Sequence, residues 1–167
     1  MKICFIGAGS TVFAKNLLGD CILNPNLGEF EIALHDIDAR RLSESFKLIS
    51  AVNKYHNGKA KISVHVDRKE ALEGADFVYV KNWSSYREYG KVLCADSGWM
   101  LTERHLRDAP NAKVMHCLPL RRNVELSDEI LDGPRSLVQQ QAANRVFAAQ
   151  AVLKGMLEKN LEARGEK

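Results

Sequence analysis

The chain alternates two hydrophobic periods, and that alternation leaves room for one class of fold. "KICFIGAG" (2–9), "FEIALHDID" (30–38), "AKISVHV" (60–66), "DFVYVKNW" (76–83) and "AKVMHCLPL" (112–120) are short apolar runs, the pattern of strands buried on both faces. Between them lie helical stretches. Residues 10–23 form one, with Ser10 as N-cap. Residues 39–56 form a second, with Leu42, Phe46, Ile49 and Val52 at helical spacing and Gly58 ending it. "RKEALEGA" (68–75) is a short helix, and 86–108 is helical but broken at Gly90 and Gly98. "SLVQQQ" (136–141) reads as a short sixth strand. Residues 142–159 read as an amphipathic helix through Val146, Ala149, Leu153 and Met156, before a frayed end.

Strands alternating with helices predict an α/β fold: a Rossmann-like, doubly wound parallel sheet in three α/β/α layers, with right-handed crossovers. The expected strand order is 3-2-1-4-5, with the short sixth strand beside the fifth. No repeat or linker interrupts the 167 residues, so one domain is expected over 1–167.

Composition removes several classes of function. The 24 basic and 21 acidic residues are interspersed, a mixed solvated surface rather than a nucleic-acid footprint. No apolar run approaches the roughly 18 residues of a membrane span, and no secretion signal opens the chain. Cys4, Cys21, Cys94 and Cys117 lack CxxC spacing, which argues against a disulfide framework or a zinc site. A cytoplasmic monomer is expected, with neither a nucleic-acid nor a membrane partner and at most a small nucleotide ligand.

Two motifs carry chemistry. "GAGSTV" follows a strand and opens a helix, the context of a phosphate-holding turn. Gly7 permits the tight turn, Gly9 allows close approach of a pyrophosphate, and Ser10 begins the helix whose dipole favours an anion. Asp36, ending the second strand, is placed to accept hydrogen bonds from a ribose hydroxyl pair. Val12 stands where the usual fingerprint has a third glycine or alanine, and a strand–turn–helix connection that merely needs glycine is the plain alternative. The second motif, "MHCLPLRRN" (115–123), sets His116 beside Cys117, then Leu118, Pro119 and two arginines. It admits a nucleophile, half of a metal site, or an anion-holding loop. Adjacent His and Cys do not readily face one ion, so no metal is expected.

Residues 1 to about 78, through "KICFIGAGSTVFAKNLLGD", "EFEIALHDID" and "DRKEALEGADFV", resemble the N-terminal segment of family 4 glycoside hydrolases, the NAD- and metal-dependent α-galactosidase type. That resemblance implies NAD over Gly7, Gly9 and Ser10, with Asp36 on the ribose; the family's metal-binding cysteine and histidine lie downstream of the similar segment. From about residue 76, "DFVYVKNWSSYREYGKVL", "MHCLPLRRNVELSDEILD" and "SLVQQQAANRVFAAQAVLKGMLEK" resemble the C-terminal portion of N-acetyl- or N-succinylornithine carbamoyltransferases. This second resemblance implies that His116–Pro119 line an active site and that Arg121 lies toward carbamoyl phosphate. It makes Cys117 a packing and polar contact, not a nucleophile. The Ser-Thr-Arg-Thr type motif that holds carbamoyl phosphate in such enzymes does not occur in the sequence, and Gln139–Gln141 stand where an acidic residue is usual.

The two resemblances meet at "EGADFVYV" (73–80). The expectation that follows is an engineered chimeric scaffold without native catalysis, neither a glycosidase nor a carbamoyltransferase. No cofactor is required in that reading, and NAD would bind weakly, on the order of 0.1–1 mM. The alternatives are a true NAD-binding module and an enzyme remnant of either parent.

Overall fold

The computed structural model describes residues 1–83, 88, 91–92 and 98–165. Its strands β1 (Lys2–Ile6), β2 (Phe30–His35), β3 (Ala60–His65), β4 (Phe77–Val80) and β5 (Lys113–His116) form one parallel sheet in the order 3-2-1-4-5. The order follows from the predicted alternation, because a right-handed crossover from each strand must lay its helix back on the sheet.

Side-chain alternation along each strand divides the core in two. Ile3, Phe5, Ile32, Leu34 and Tyr79 point to one face. There they meet Ala14, Leu18 and Ile22 of α1 (Thr11–Leu23) and Leu42 and Ile49 of α2 (Ala39–Tyr55). Cys4, Ile6, Ala33, Val78, Val80 and Val114 point to the other. They pack on Leu72 of α3 (Arg68–Leu72), Leu106 of a 3₁₀ turn (Glu103–Asp108), Ile130 of α4 (Asp128–Leu131) and Val138 of α5 (Val138–Ala143). Cover on both faces is the reason the central strands β1, β2 and β4 are buried along nearly their whole length, whereas the edge strand β3 alternates and is only partly buried. Local caps set where the helices start. The Asp38 carboxylate accepts the N–H groups of Arg40 and Arg41, Asp67 accepts that of Lys69, and Ser127 that of Ile130. Ser10 occupies the N-cap position of α1 but makes no side-chain capping bond.

Three expectations change. The sixth strand is a single bridge, Ser136 beside Val114, after which the glutamines enter α5. Gln is a good helix former, and the Gln141 amide is drawn inward to polar partners on β4 and β5, which a strand would not supply. Of the helix expected over 86–108, the described part forms only the 3₁₀ turn Glu103–Asp108; Tyr86, Gly90 and Cys94 lie outside the described residues. The terminal helix begins later and runs further than expected, as α6 (Arg145–Arg164), ended by Gly165 in the left-handed region at φ 70°. None of its residues is buried, and Val146, Phe147, Leu153, Met156 and Leu157 stay open to solvent. No helix among the described residues is long and apolar enough to cross a membrane.

Candidate functional site

Both sequence motifs fall at the carboxyl edge of the sheet, where the strand order reverses between β1 and β4, the usual place for a ligand crevice in open α/β sheets. The β1–α1 turn is closed on itself. The N–H groups of Gly7 and Ala8 both donate to the His35 carbonyl at 2.9 Å, and that of Ser10 donates to the Gly7 carbonyl at 3.1 Å. The Gly9 N–H donates to Asp36 Oδ2 at 2.7 Å, while Asp36 Oδ1 accepts the Asp38 N–H at 2.9 Å. Asp36 is therefore turned into the turn, where the ribose reading needs its carboxylate directed outward. A β-carbon on Gly9 would lie 2.6 Å from Asp36 Oδ2, so a side chain at this position would collide with the aspartate carboxylate. From α2, Ser45 Oγ donates to the Ala8 carbonyl at 2.6 Å and pairs with Thr11 Oγ1 at 2.9 Å, locking the turn from its far side. In this conformation Ala8, Gly9 and Ser10 have no N–H left to offer an anion.

The loop after β5 is built differently. His116 closes the strand and is only 1% exposed. Its N–H donates to Gln141 Oε1 at 3.2 Å, and Gln141 Nε2 donates to the Tyr79 hydroxyl at 3.1 Å. Its Nδ1 accepts the Leu118 N–H at 3.0 Å, and Leu118 takes φ 44°, a region a side chain disfavours. Burial, with Lys81 and Arg121 nearby, pushes the His116 imidazole down to about 4 from its ordinary 6.5, so the ring is neutral. Cys117 is a half-buried free thiol packed beside the α1–α2 face of the core. Pro119 follows a cis peptide bond, and its carbonyl accepts from Asn82 Nδ2 at 3.0 Å.

Arg121 does not reach toward an anion. Its Nε and Nη2 donate to Glu125 Oε1 at 2.9 and 2.5 Å, and its backbone N–H donates to Oε2 at 2.9 Å. Glu125 is fully buried, and Arg121 Nη1 is occupied by the Lys91 carbonyl at 3.0 Å. Arg121, implied by the resemblance to lie toward carbamoyl phosphate, is here engaged in an ion pair with Glu125. Arg122 is held outward by Asp128 and Asp132.

Between the two motifs lies the end of β4. The Lys81 side chain packs on Gly7, where an added β-carbon would sit 3.0 Å from Lys81 Cβ, and its ammonium stands 5.2 Å from the centroid of Phe13. Asn82 ties the same strand end to Pro119. Lys81, Asn82 and Glu125 went unnoticed in sequence, while Gln141 was singled out only as a residue standing where an acidic one is usual. Only the position of Lys81 and Asn82 just after an apolar run would have singled them out. Among the described residues no group of three or more His, Cys, Asp or Glu side chains is placed to hold a metal ion.

A family model described as aspartate/ornithine carbamoyltransferase, Asp/Orn binding domain, matches residues 1–156. The chain belongs to this family. Similar relatives include an N-succinylornithine carbamoyltransferase of Bacteroides fragilis, 44% identical over 97 residues, which are 57% of this chain and 30% of the relative. An ornithine carbamoyltransferase of Listeria monocytogenes is 34% identical over 167 residues, covering 95% of this chain and 50% of its own. An alpha-galactosidase of Bacillus subtilis is 51% identical over 77 residues, 46% of this chain and 18% of that enzyme. The ornithine transcarbamoylase structure from Giardia lamblia shares the fold at a TM-score of 0.72 and 23% identity, covering 92% of this chain and 49% of that one. Both resemblances read from sequence stand. The expectation of an engineered scaffold without activity does not. The carbamoyltransferase match runs through residues 73–80, where the two resemblances meet, and an enzyme family accounts for nearly the whole chain. The chain spans about half the length, or less, of these relatives.

Proposed function

We propose that this chain is the amino-acid-binding half of a carbamoyltransferase whose acceptor is ornithine or an N-acylated ornithine. The observation that carries the reading is the match of residues 1–156 to an Asp/Orn-binding domain. It is supported by the position of His116–Pro119 at the carboxyl edge of β5, braced by Asn82 and Gln141. In this reading the Cys117–Pro119 backbone and the β4 end at Lys81 and Asn82 receive the acceptor. Carbamoyl phosphate would be held by residues this sequence does not contain, since Arg121 and Arg122 are each engaged by carboxylates.

Dinucleotide binding at Gly7, Gly9, Ser10 and Asp36 is the weaker reading. A pyrophosphate there would have to displace Asp36 from the Gly9 N–H and His35 from the Ala8 N–H. One titration separates the two: backbone NMR of the chain with L-ornithine, N-acetyl-L-ornithine, N-succinyl-L-ornithine and NAD. The expected result is saturable shifts at Lys81–Asn82 and His116–Pro119 with one ornithine ligand. Saturation by NAD alone, with shifts at Gly7–Ser10, would reject the acceptor reading.

A further inference from the structure

We infer that His116 is a positioning residue for the loop it begins: through Nδ1 it holds the Leu118 backbone in the form an acceptor amino acid would meet. The inference rests on the acceptor-loop reading above for its consequence, and on geometry alone for its mechanism.

The neighbouring thiol is the more obvious candidate for chemistry in this motif, but the hydrogen bond that shapes the loop is made by the imidazole. His116 is anchored at its backbone, whose N–H donates to Gln141 of α5, and Gln141 in turn donates to the Tyr79 hydroxyl of β4. The residue is 1% exposed, and its close-packed surroundings leave the ring little freedom to turn. Its Nδ1 accepts the Leu118 N–H at 3.0 Å, two residues along. Leu118 sits at φ 44°, and such a backbone persists only when its surroundings over-determine it. The Pro119 carbonyl is then fixed by Asn82, so the loop is pinned at both ends.

An Nδ1 that accepts carries no proton, so the neutral ring must carry its proton on Nε2. Nε2 is buried and makes no hydrogen bond among the described residues. A buried donor without a partner is uncommon and calls for an explanation, which the Nδ1 bond to Leu118 supplies by requiring this tautomer. The depressed imidazole basicity, caused by burial, Lys81 and Arg121, acts in the same direction, because protonation at Nδ1 would break the Leu118 contact.

Two substitutions separate this role from mere packing. In His116→Asn the amide oxygen takes the place of Nδ1 and can accept the Leu118 N–H. In His116→Gln the amide lies further out, in the place of Nε2. Three measurements are made on the chain. Imidazole ¹⁵N spectra of the wild type should show an unprotonated Nδ1 and a protonated Nε2. Hydrogen exchange at the Leu118 amide should be slow in wild type and His116→Asn and fast in His116→Gln. Affinity for whichever ornithine ligand binds should fall about tenfold in His116→Gln, as for loss of one well-made hydrogen bond, and stay near wild type in His116→Asn. Similar melting temperatures for the two variants would separate this difference from general destabilisation. A proton on Nδ1 in the wild type, or Leu118 exchange equally slow in both variants, overturns the inference. Should no ornithine ligand bind the wild type, the acceptor reading fails, while the tautomer and exchange measurements still decide the role of His116.

Discussion

Removing the Arg121 guanidinium should cost far more stability than any other single arginine truncation near the site. Glu125 is fully buried and accepts the Arg121 backbone N–H and two guanidinium N–H groups, at 2.9, 2.9 and 2.5 Å. In Arg121→Ala the backbone donor remains but both charged donors vanish, leaving a carboxylate in the core without a counter-charge. Breaking a buried pair from one side in this way costs about 3–5 kcal/mol, against 0–1 kcal/mol for an exposed pair. That is a large share of the 5–15 kcal/mol typical of a whole domain. In urea, with a slope of about 2 kcal/mol/M, the unfolding midpoint should fall by about 2 M at unchanged slope. Replacing both partners, Arg121→Met with Glu125→Leu, should recover most of the loss, because no buried charge is then left unpaired. Arg122→Ala, which breaks only the solvent-exposed pairs to Asp128 and Asp132, is the control and should barely move the midpoint. A loss in Arg121→Ala of less than about 1 kcal/mol would refute the reasoning, since the burial of Glu125 would then carry no penalty. If the same variant stayed stable yet lost affinity for carbamoyl phosphate, the arginine would be a ligand contact after all.

Stability should fall as pH drops from the ordinary histidine value of 6.5 toward 4. The unfolded chain takes up the His116 proton near 6.5 while the native state resists it until about 4, a difference of about 3 kcal/mol once complete. Buried His35, also shifted down by burial, adds in the same sense, so unfolding curves of wild type and His116→Asn across that range isolate the His116 part. Gly9→Ala should cost about 1–3 kcal/mol by overpacking, because its β-carbon would lie 2.6 Å from the Asp36 carboxylate that closes the turn; an unchanged melting temperature would show that the carboxylate is free to move. On the helices, Leu153→Glu should change stability by less than about 0.5 kcal/mol, since Leu153 is 59% exposed on α6. Leu18→Ala, fully buried in α1, should cost about 2–5 kcal/mol, and comparable losses from the two would mean that α6 is buried in solution.

The sheet was legible in the sequence because its cause is local and periodic. Runs such as "KICFI" and "FEIALH", separated by helical stretches, have few ways to bury both faces, and right-handed crossovers reduce these to the order observed. Asp38, Asp67 and Ser127 cap their helices by bonds to residues two or three positions away, an interaction that local sequence determines. The carboxyl-edge position of both motifs followed from the same pattern.

What each site residue does depended on partners that only folding brings near. Asp36 marks a ribose contact in sequence, yet 27 positions separate it from the Gly9 N–H it accepts. Arg121 resembles an anion contact until Glu125, four residues away and carried inward by the loop, takes its guanidinium. Gln141 sat in a stretch read as a strand because nothing local reveals that its amide will join Tyr79, 62 positions earlier, to the backbone of His116. Hydrophobic periodicity survives being read one window at a time, because burial depends on the average character of a face. A hydrogen bond or ion pair is satisfied atom by atom at about 3 Å, so its partner is determined only once distant strands and loops are packed.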